Sequence, residues 1–335
     1  MKKRVFSGIQ PTGEIHIGRY VGAVRNWVNM QDKYDNIICV VDLHAITVQQ
    51  DPALLKERIR KFTGLLLAAG IDPDRTILFI QSHVSAHAEL AWILNCFIPI
   101  GWAQRMTQYK EKSQKQKEQS SLGLFAYPSL MAADILLYDT NTVPVGEDQK
   151  QHVELTRDVA QRFNSIYGET FTLPEPLISG IGARIMGLDD PTKKMSGSET
   201  GSGHSIDLLD SADDIRSKIM RATTDSQREI RFDENRPGVF NLLSIYQSFT
   251  GVPDKEIETK FEGRGYSDLK KELVEVVTEN LRPIQENYRR ITNESGYIDK
   301  IVKDGADRAR PMADRKLAEV QKKIGLGGID HATQR

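Results

Sequence analysis

The feature that most constrains this chain is an alternation, over its first two thirds, of short apolar runs with longer stretches of helical spacing. Val5-Phe6-Ser7-Gly8-Ile9 reads as a strand, and the segment from about Ile17 to Met30 as a helix. Ile37-Ile38-Cys39-Val40-Val41 is a second strand, rich in β-branched side chains. Asp51-Pro52 opens a helix, with Asp as N-cap and Pro at the first helical position. Its apolar residues Leu55, Ile59, Phe62, Leu66 and Ala69 fall on one face, and Gly70 ends it. Thr76 to Ile80 is a third strand, followed by a helix through Ala91, Trp92 and Leu94. Strands apolar on both faces need covering on both faces, and the intervening helices supply the cover. The expected fold class is α/β, a doubly wound parallel (Rossmann-like) sheet.

Past about Ile206 the strand signals stop. Asp213 to Met220, Phe240 to Phe249, Leu269 to Ile284 and Ala313 to Ile324 all show helical patterning. Pro283 is expected to kink or stop the third of these. The organisation read from the sequence is a sheet domain over 1–205, an all-helical domain over 206–326 and a frayed tail over 327–335.

Charge and cysteine usage exclude several classes. The 45 basic and 46 acidic side chains leave a formal net charge of −1, which rules out a globally basic DNA binder but not a local basic stripe. Cys39 and Cys96 each lie in an apolar run without metal-ligand spacing, and both are expected to be buried thiols in a reducing compartment. His83 and His87 have the spacing of a zinc pair, but no further clustered Cys or His follows, so they read as helix-start histidines and no protein metal site is expected. No apolar run approaches the ~18 residues of a membrane span, so a soluble, cytoplasmic protein is expected.

Two segments carry nucleotide chemistry. The first strand leads into Gly8-Ile9-Gln10-Pro11-Thr12-Gly13, then His16-Ile17-Gly18-Arg19 at a helix start. Such a turn offers backbone N–H groups and a positive dipole end to phosphate. Gly18, lacking Cβ, lets a flat ring approach the backbone, and His16 can donate to a phosphate oxygen as charge develops. An ordinary βα turn remains the competing reading of this segment. The second segment is a polar, Gly-rich loop, Asp190-Pro-Thr-Lys193-Lys194-Met195-Ser196-Gly197-Ser198, continuing to Gly203. Adjacent lysines on such a loop can fold over a polyphosphate, or simply be solvated. No G-x-x-x-x-G-K-[ST] is present, and Gly180-Ile-Gly182 lacks the third glycine of a dinucleotide fingerprint. Asp134 stands out separately: it lies in the apolar helix Leu130-Met-Ala-Ala-Asp-Ile-Leu-Leu137, where an unpaired carboxylate is costly. On the residues alone, a protein donor is its first expected partner. His44, ending the second strand, falls where open α/β sheets bind ligands.

Taken together, the tetrapeptide and the lysine loop resemble the class I aminoacyl-tRNA synthetases. Phe6-Ser-Gly-Ile-Gln-Pro-Thr-Gly13, Met131-Ala-Ala-Asp-Ile-Leu-Leu-Tyr138 and Val145-Gly-Glu-Asp-Gln-Lys-Gln-His152 narrow the resemblance to the bacterial-type tryptophanyl members, from about residue 4 to 325. The resemblance implies a ligase that activates L-tryptophan with ATP, giving tryptophanyl-AMP and pyrophosphate. It then transfers tryptophan to the 3'-terminal adenosine of tRNA(Trp). It implies ATP as co-substrate with Mg2+ on its phosphates, a homodimer, a catalytic domain over 1–205 and an anticodon-binding domain over 206–326. It places ATP against Gln10, Pro11, Thr12, His16, Gly18 and Arg19, with Gly146, Glu147 and Asp148 on the ribose and adenine side and Ile185 near the base. Lys194, Met195, Ser196, Gly197 and Ser198 would close over the phosphates, and Lys110 and Lys112 would reach the pyrophosphate. His16, Lys194, Ser196 and Lys112 are the implied catalytic residues. Asp134 would accept the indole N–H, a contact that discriminates by roughly 10⁴–10⁵ in favourable cases. Phe6, Val143 and Val145 would form apolar walls, Met131 a soft contact, His44 part of the pocket, and Tyr127 and Gln149 would orient the ammonium group.

Two other readings compete. A small-molecule adenylating enzyme would share the tetrapeptide, but the long helical region and the Asp134 helix argue against it. A catalytically weakened paralogue with an RNA-binding or regulatory role is the other, because the family's loop has a second lysine where this chain has Gly197, and Arg19 replaces the last His of the tetrapeptide. Losing such a phosphate contact typically costs ~3–4 kcal/mol. Arg19, Lys193 or a mobile-loop lysine would then have to compensate. If none does, Gly197→Lys is expected to speed adenylation.

Overall fold

In the computed structural model, residues 2–106, 121–146, 149–178, 184–197, 203–227 and 229–326 are described. Five strands, β1 (Arg4–Ile9), β2 (Asp35–Val40), β3 (Thr76–Ile80), β4 (Thr142–Val145) and β5 (Glu175–Ile178), form one sheet in the order β3-β2-β1-β4-β5. Every pairing is parallel, with Val5 opposite Asn36, Cys39 opposite Phe79, and Val143 opposite Pro176. The chain winds outward from β1 to β3, then returns to β4 on the other side of β1. The crevice at the carboxyl ends of β1 and β4 is therefore the topological switch point, where such sheets hold ligands.

Side chains alternate across the strands, so β2 divides its apolar residues between two cores. Ile38 and Val40 pack with Ile9, Leu78 and the Phe62, Leu65 and Leu66 face of a helix at Pro52–Ala68. Ile37 and Cys39 pack with Phe6, Phe79 and residues of helices at Ala86–Asn95, Leu122–Leu136 and Lys150–Tyr167. The helices over the sheet are α1 (Ile17–Arg19), α2 (Arg25–Met30), α3 (Asp42–Ala45), α4 (Pro52–Ala68), α5 (Ala86–Asn95), α6 (Ile100–Gln104), α7 (Leu122–Leu136) and α8 (Lys150–Tyr167). Between α1 and α2, Tyr20–Val24 adopts π geometry, so the helix expected from Ile17 to Met30 carries a bulge directly after the His16–Arg19 tetrapeptide. Asp51 caps α4 by accepting from the Leu54 N–H at 2.9 Å, as the sequence leads one to expect.

Beyond residue 206 the described chain is helical: α9 (Ala212–Arg221), α10 (Pro237–Thr250), α11 (Asp254–Phe261), α12 (Tyr266–Asn293) and α13 (Tyr297–Lys323). Pro283 neither stops nor ends α12. It and Glu279, whose carbonyl loses its partner N–H to the proline, both lie on the exposed face, where the carbonyl is open to solvent rather than buried unpaired. Small residues at helical spacing, Ala306, Ala309 and Ala313, let α13 lie close on the sheet beside β3. Gly305 makes the nearest approach: a Cβ there would fall 1.9 Å from the Leu78 carbonyl oxygen.

One expectation is corrected. Cys39 is buried, but Cys96 is exposed, at the end of α5. Its apolar run does not mark burial, because Trp92 and Ile100 in the same stretch are 71% and 66% exposed. Among the described residues, no helix is long and apolar enough to cross a membrane.

Candidate active site

The half of the site expected to hold the nucleotide forms where β1 ends. The segment after the Gly8–Gly13 turn is held as an extended strip: Ile17 N–H donates to the Ile206 carbonyl at 2.8 Å, and Leu208 N–H to Ile15 at 2.9 Å. This fixes His16, which is buried and caps α1. Its Nδ1 accepts the Arg19 N–H at 3.3 Å, so the ring proton sits on Nε2. Burial, with Arg19, Lys194 and His204 nearby, lowers its pKa to about 3. His16 is thus a neutral donor at pH 7. Gly18 lies against the His16 ring and near Ile185, which brings together three residues expected around ATP. Arg19 instead turns its guanidinium over the Phe62 ring of α4, 5.7 Å from the centroid.

The lysine loop docks onto this turn. Met186 bridges to Lys194, Gly187 N–H donates to Lys193 O at 2.8 Å, and Met195 N–H to Ile185 O at 3.1 Å. Met195 is buried in the core that holds Ile185 and Ile17. Gly13, at φ +66°, faces Gly197, whose carbonyl oxygen would lie 2.9 Å from a Cβ on Gly13. Asn241 of α10 pins the same strap, accepting from Met186 N–H at 2.8 Å and donating to Met186 O at 2.9 Å.

The second half centres on Asp134, 2% exposed. Its Oδ1 accepts from Gln81 Nε2 and His87 Nδ1, each at 2.6 Å, and its Oδ2 contacts His44 Nε2 at 2.9 Å. The Gln81 amide is oriented by the Leu43 N–H, which donates to Oε1 at 3.1 Å and leaves Nε2 to serve Asp134. The far nitrogen of His87 meets Tyr138 Oη at 2.7 Å, and burial pushes the Tyr138 phenol well up, so the phenol stays protonated. Burial alone would raise the Asp134 pKa, but the His44 and His87 hydrogen bonds outweigh it and hold the carboxyl below its ordinary value. An ionised carboxylate therefore stands in an apolar helix with one oxygen, Oδ2, engaged by a single donor. Gln10 donates to the His44 carbonyl at 3.0 Å, tying this half to the nucleotide turn.

Around it, Phe6 stacks on Tyr138 with centroids 5.7 Å apart, Val143 is buried, and Met131 and Val145 pack against the same core. Tyr127 bonds His152 Nε2 at 2.6 Å and lies edge-on to His44. Gln149 N–H donates to Gly146 O at 2.9 Å, which starts α8. Lys110, Lys112, Glu147, Asp148 and Ser198 lie outside the described residues. The sequence reading gave no site role to Gln81, to His87, which it set aside as a helix-start histidine, or to Tyr138, which closes the Met131–Tyr138 motif. His87 carried a signal, since it falls among the apolar residues of α5, and Tyr138 follows directly on the apolar run that ends α7, but the pairing across the fold was not legible.

Comparison with known proteins agrees with this arrangement. The model of the class I tRNA synthetases for tryptophan and tyrosine matches residues 1–282. A tryptophan–tRNA ligase of Wolinella succinogenes is 57% identical over 326 residues, 97% of this chain and 99% of that protein. One from Caldanaerobacter subterraneus is 58% identical over 325 residues, covering 97% and 98%. The crystal structure of the Mycoplasma pneumoniae tryptophanyl-tRNA synthetase superposes with a TM-score of 0.90 at 37% identity, covering 98% of this chain and 99% of that one. That of the Campylobacter jejuni enzyme, complexed with ADP and tryptophan, gives 0.83 at 38%, covering 96% and 100%. The chain belongs to the class I tRNA synthetases of the tryptophan and tyrosine group.

Proposed function

We propose that this chain is a tryptophan–tRNA ligase, forming tryptophanyl-AMP and pyrophosphate and then charging tRNA(Trp) at its 3'-terminal adenosine. The observation that carries this reading is the ionised Asp134 carboxylate, buried in an apolar helix and tied through His44 and Gln10 to a nucleotide turn. Its less-engaged oxygen suits an indole N–H, with Phe6, Met131, Val143 and Val145 as walls. The full-length similarity to tryptophan–tRNA ligases, and the ADP and tryptophan in the Campylobacter jejuni complex, support the same assignment.

In the reaction, the tryptophan carboxylate attacks the α-phosphorus in line and pyrophosphate leaves; a terminal ribose hydroxyl of tRNA then displaces AMP. No covalent nucleophile is needed from the protein, so catalysis is positioning and charge stabilisation. His16 Nε2–H would donate to phosphate as negative charge grows. Lys194, Met195, Ser196 and Gly197 would close over the phosphates, with Lys110 and Lys112 as further cations. Gln10, Pro11, Thr12 and Gly18, with Gly146, Glu147, Asp148 and Ile185, would hold the nucleoside. ATP enters as its Mg2+ complex. Tyr127 and Gln149 would orient the tryptophan ammonium group.

The helices after residue 206 are assigned to the tRNA, and Asn241 is a physical link from α10 to the lysine loop. Trp92, Ile100 and Leu122 are strongly exposed on α5, α6 and α7, helices packed on one another, which supports a homodimer closing over that face. Sedimentation of the purified chain tests the dimer. A cytoplasmic location fits such an enzyme.

The test of function is tryptophan-dependent ATP–pyrophosphate exchange. Exchange at or below the no-enzyme blank sinks the assignment and leaves the weakened paralogue, which the full-length similarity to ligases does not favour.

A further inference from the structure

His204 plays no part in the roles above, yet it sits under the base of the lysine loop, 3% exposed. Its ring lies directly on Gly187, where a Cβ would come within 2.2 Å of Cε1 and 2.5 Å of Nδ1. Nδ1 contacts Asp189 Oδ1 at 2.6 Å, and Nε2 faces the Lys194 carbonyl oxygen at 3.3 Å. Both partners are oxygen acceptors, so each ring nitrogen is held by one contact from the loop or its base. Burial acts to raise the Asp189 pKa, but the His204 hydrogen bond and the Asp190 N–H hold it below its ordinary value. Asp189 is itself fixed: Thr223 Oγ1 donates to its carbonyl at 2.6 Å, and Thr223 N–H to that of Leu188 at 2.8 Å. His204 O in turn accepts the Leu188 N–H at 3.0 Å. The strap 185–188 thus holds Lys193 to Met195 by backbone pairing along one side, and the Asp189–His204 pair holds the Lys194 carbonyl from beneath.

We propose that His204, held by Asp189, is a positioning residue that anchors Lys194 and so presets the lysine loop over the phosphates of ATP. The inference rests on the synthetase reading for its catalytic consequence, though the anchoring itself does not. It explains why 187 is glycine: any side chain there evicts the imidazole. It also supplies what a loop with Gly197 in place of a second lysine needs, since Lys194 must be placed well to be effective.

The experiment uses three variants of the full chain, His204→Ala, Asp189→Asn and Gly187→Ala. Asp189 is half exposed, so Asp189→Asn weakens the pair by removing its carboxylate charge without opening the core. Tryptophan-dependent exchange is expected to show KM for ATP raised about tenfold in each, with KM for tryptophan changed by less than about twofold, as a displaced loop base predicts. Hydrogen exchange of the Gly187 and Met195 amides in the free chain is expected to quicken by a similar factor while β1 and β2 keep their protection. Unchanged protection at Met195 overturns the anchoring, whatever the activity. Parallel losses for ATP and tryptophan overturn the specific role and leave a general structural one. If the unaltered chain gives no exchange, the synthetase reading fails, and the amide measurement alone decides the anchoring.

Discussion

The Cα of Gly197 rests on the backbone of Glu14: a Cβ at 197 would lie 2.7 Å from both the Glu14 nitrogen and its carbonyl oxygen. Real Cβ atoms do not sit so close to backbone, so any side chain there lifts the lysine loop off the nucleotide turn. Lys61 reinforces the contact by pairing with the Glu14 carboxylate at 2.5 Å. The sequence alone makes Gly197 look like a lost lysine whose restoration should speed adenylation. The packing reverses that expectation. Gly197→Lys and Gly197→Ala are both expected to slow pyrophosphate exchange, by about tenfold through misplacement of Lys194 and Ser196. A faster Gly197→Lys enzyme would refute docking as the reason for this glycine.

On the proposed function, tryptophan recognition turns on Asp134. Asp134→Ala leaves three donors, on Gln81, His87 and His44, facing an apolar void. Breaking a buried, paired carboxylate in this way costs roughly 3–5 kcal/mol of stability. Asp134→Asn keeps the volume but puts an NH2 where an acceptor stood. Both variants are expected to lose tryptophan affinity by at least about 100-fold, since a site built for a hydrogen bond is left unmatched. ADP affinity, measured by calorimetry below the lowered melting point, should be retained. Loss of both ligands would make the α7 contact structural only.

The Tyr138 hydroxyl bonds His87, which bonds Asp134, so on the proposed function it would act on tryptophan through that relay. Tyr138→Phe keeps the stack on Phe6 and removes one buried donor, a change worth roughly 1–3 kcal/mol. KM for tryptophan is expected to rise severalfold with KM for ATP unchanged. Equal shifts in both would deny the relay.

How much of this was legible beforehand depended on the range of the interactions. The three long strands, the Asp51 cap and the helical run after residue 206 follow from local periodicity and capping, and they stand in the structure. β4 and β5 were less visible, being four residues each and interrupted by Pro144 or Pro176. Pro283 misled because its cost depends on whether the freed carbonyl meets water, which periodicity does not reveal. The Asp134 helix was conspicuous because a carboxylate in an apolar run demands a partner, but which partners was a matter of tertiary contact. His87, His204 and Gly197 owe their roles to residues 47, 15 and 183 positions away. Local periodicity does not reveal such pairs.

His16 gives a prediction with a sign that can be worked out. Its pKa is about 3 in the folded chain against an ordinary 6.5. A depressed histidine favours folding fully above 6.5, and that contribution fades as pH falls from 6.5 toward 3, because the unfolded chain takes up the proton first. Between pH 7 and 5 the loss amounts to about 2 kcal/mol. Denaturant unfolding of the unaltered chain should therefore weaken more over this interval than that of His16→Asn. Identical pH dependences would mean that His16 titrates normally and does not enter the reaction as a fixed neutral donor.

The last helix meets the backbone of the sheet at Gly305, and that contact can be tested by the smallest substitution available. Gly305 of α13 lies so near Leu78 of β3 that a methyl group would overlap the carbonyl oxygen at 1.9 Å. In an open helix Gly→Ala adds about 1 kcal/mol of stability, by propensity and by restricting the unfolded chain. Here the methyl has nowhere to go, since its obstacle is the backbone of a strand held in the sheet by its pairing with β2. Overpacking of this kind costs about 1–3 kcal/mol or more, enough to outweigh the propensity gain. Gly305→Ala is therefore expected to lower the melting temperature, while the neighbouring exposed Lys303→Ala leaves it nearly unchanged. Because Ala306, Ala309 and Ala313 follow the glycine onto the core that also holds Phe79 and Tyr138, the helix cannot tilt away locally. The tryptophan half of the site should loosen with it, seen as a rise in KM for tryptophan. A stabilised Gly305→Ala chain would show that α13 stands farther from β3 than the structure places it.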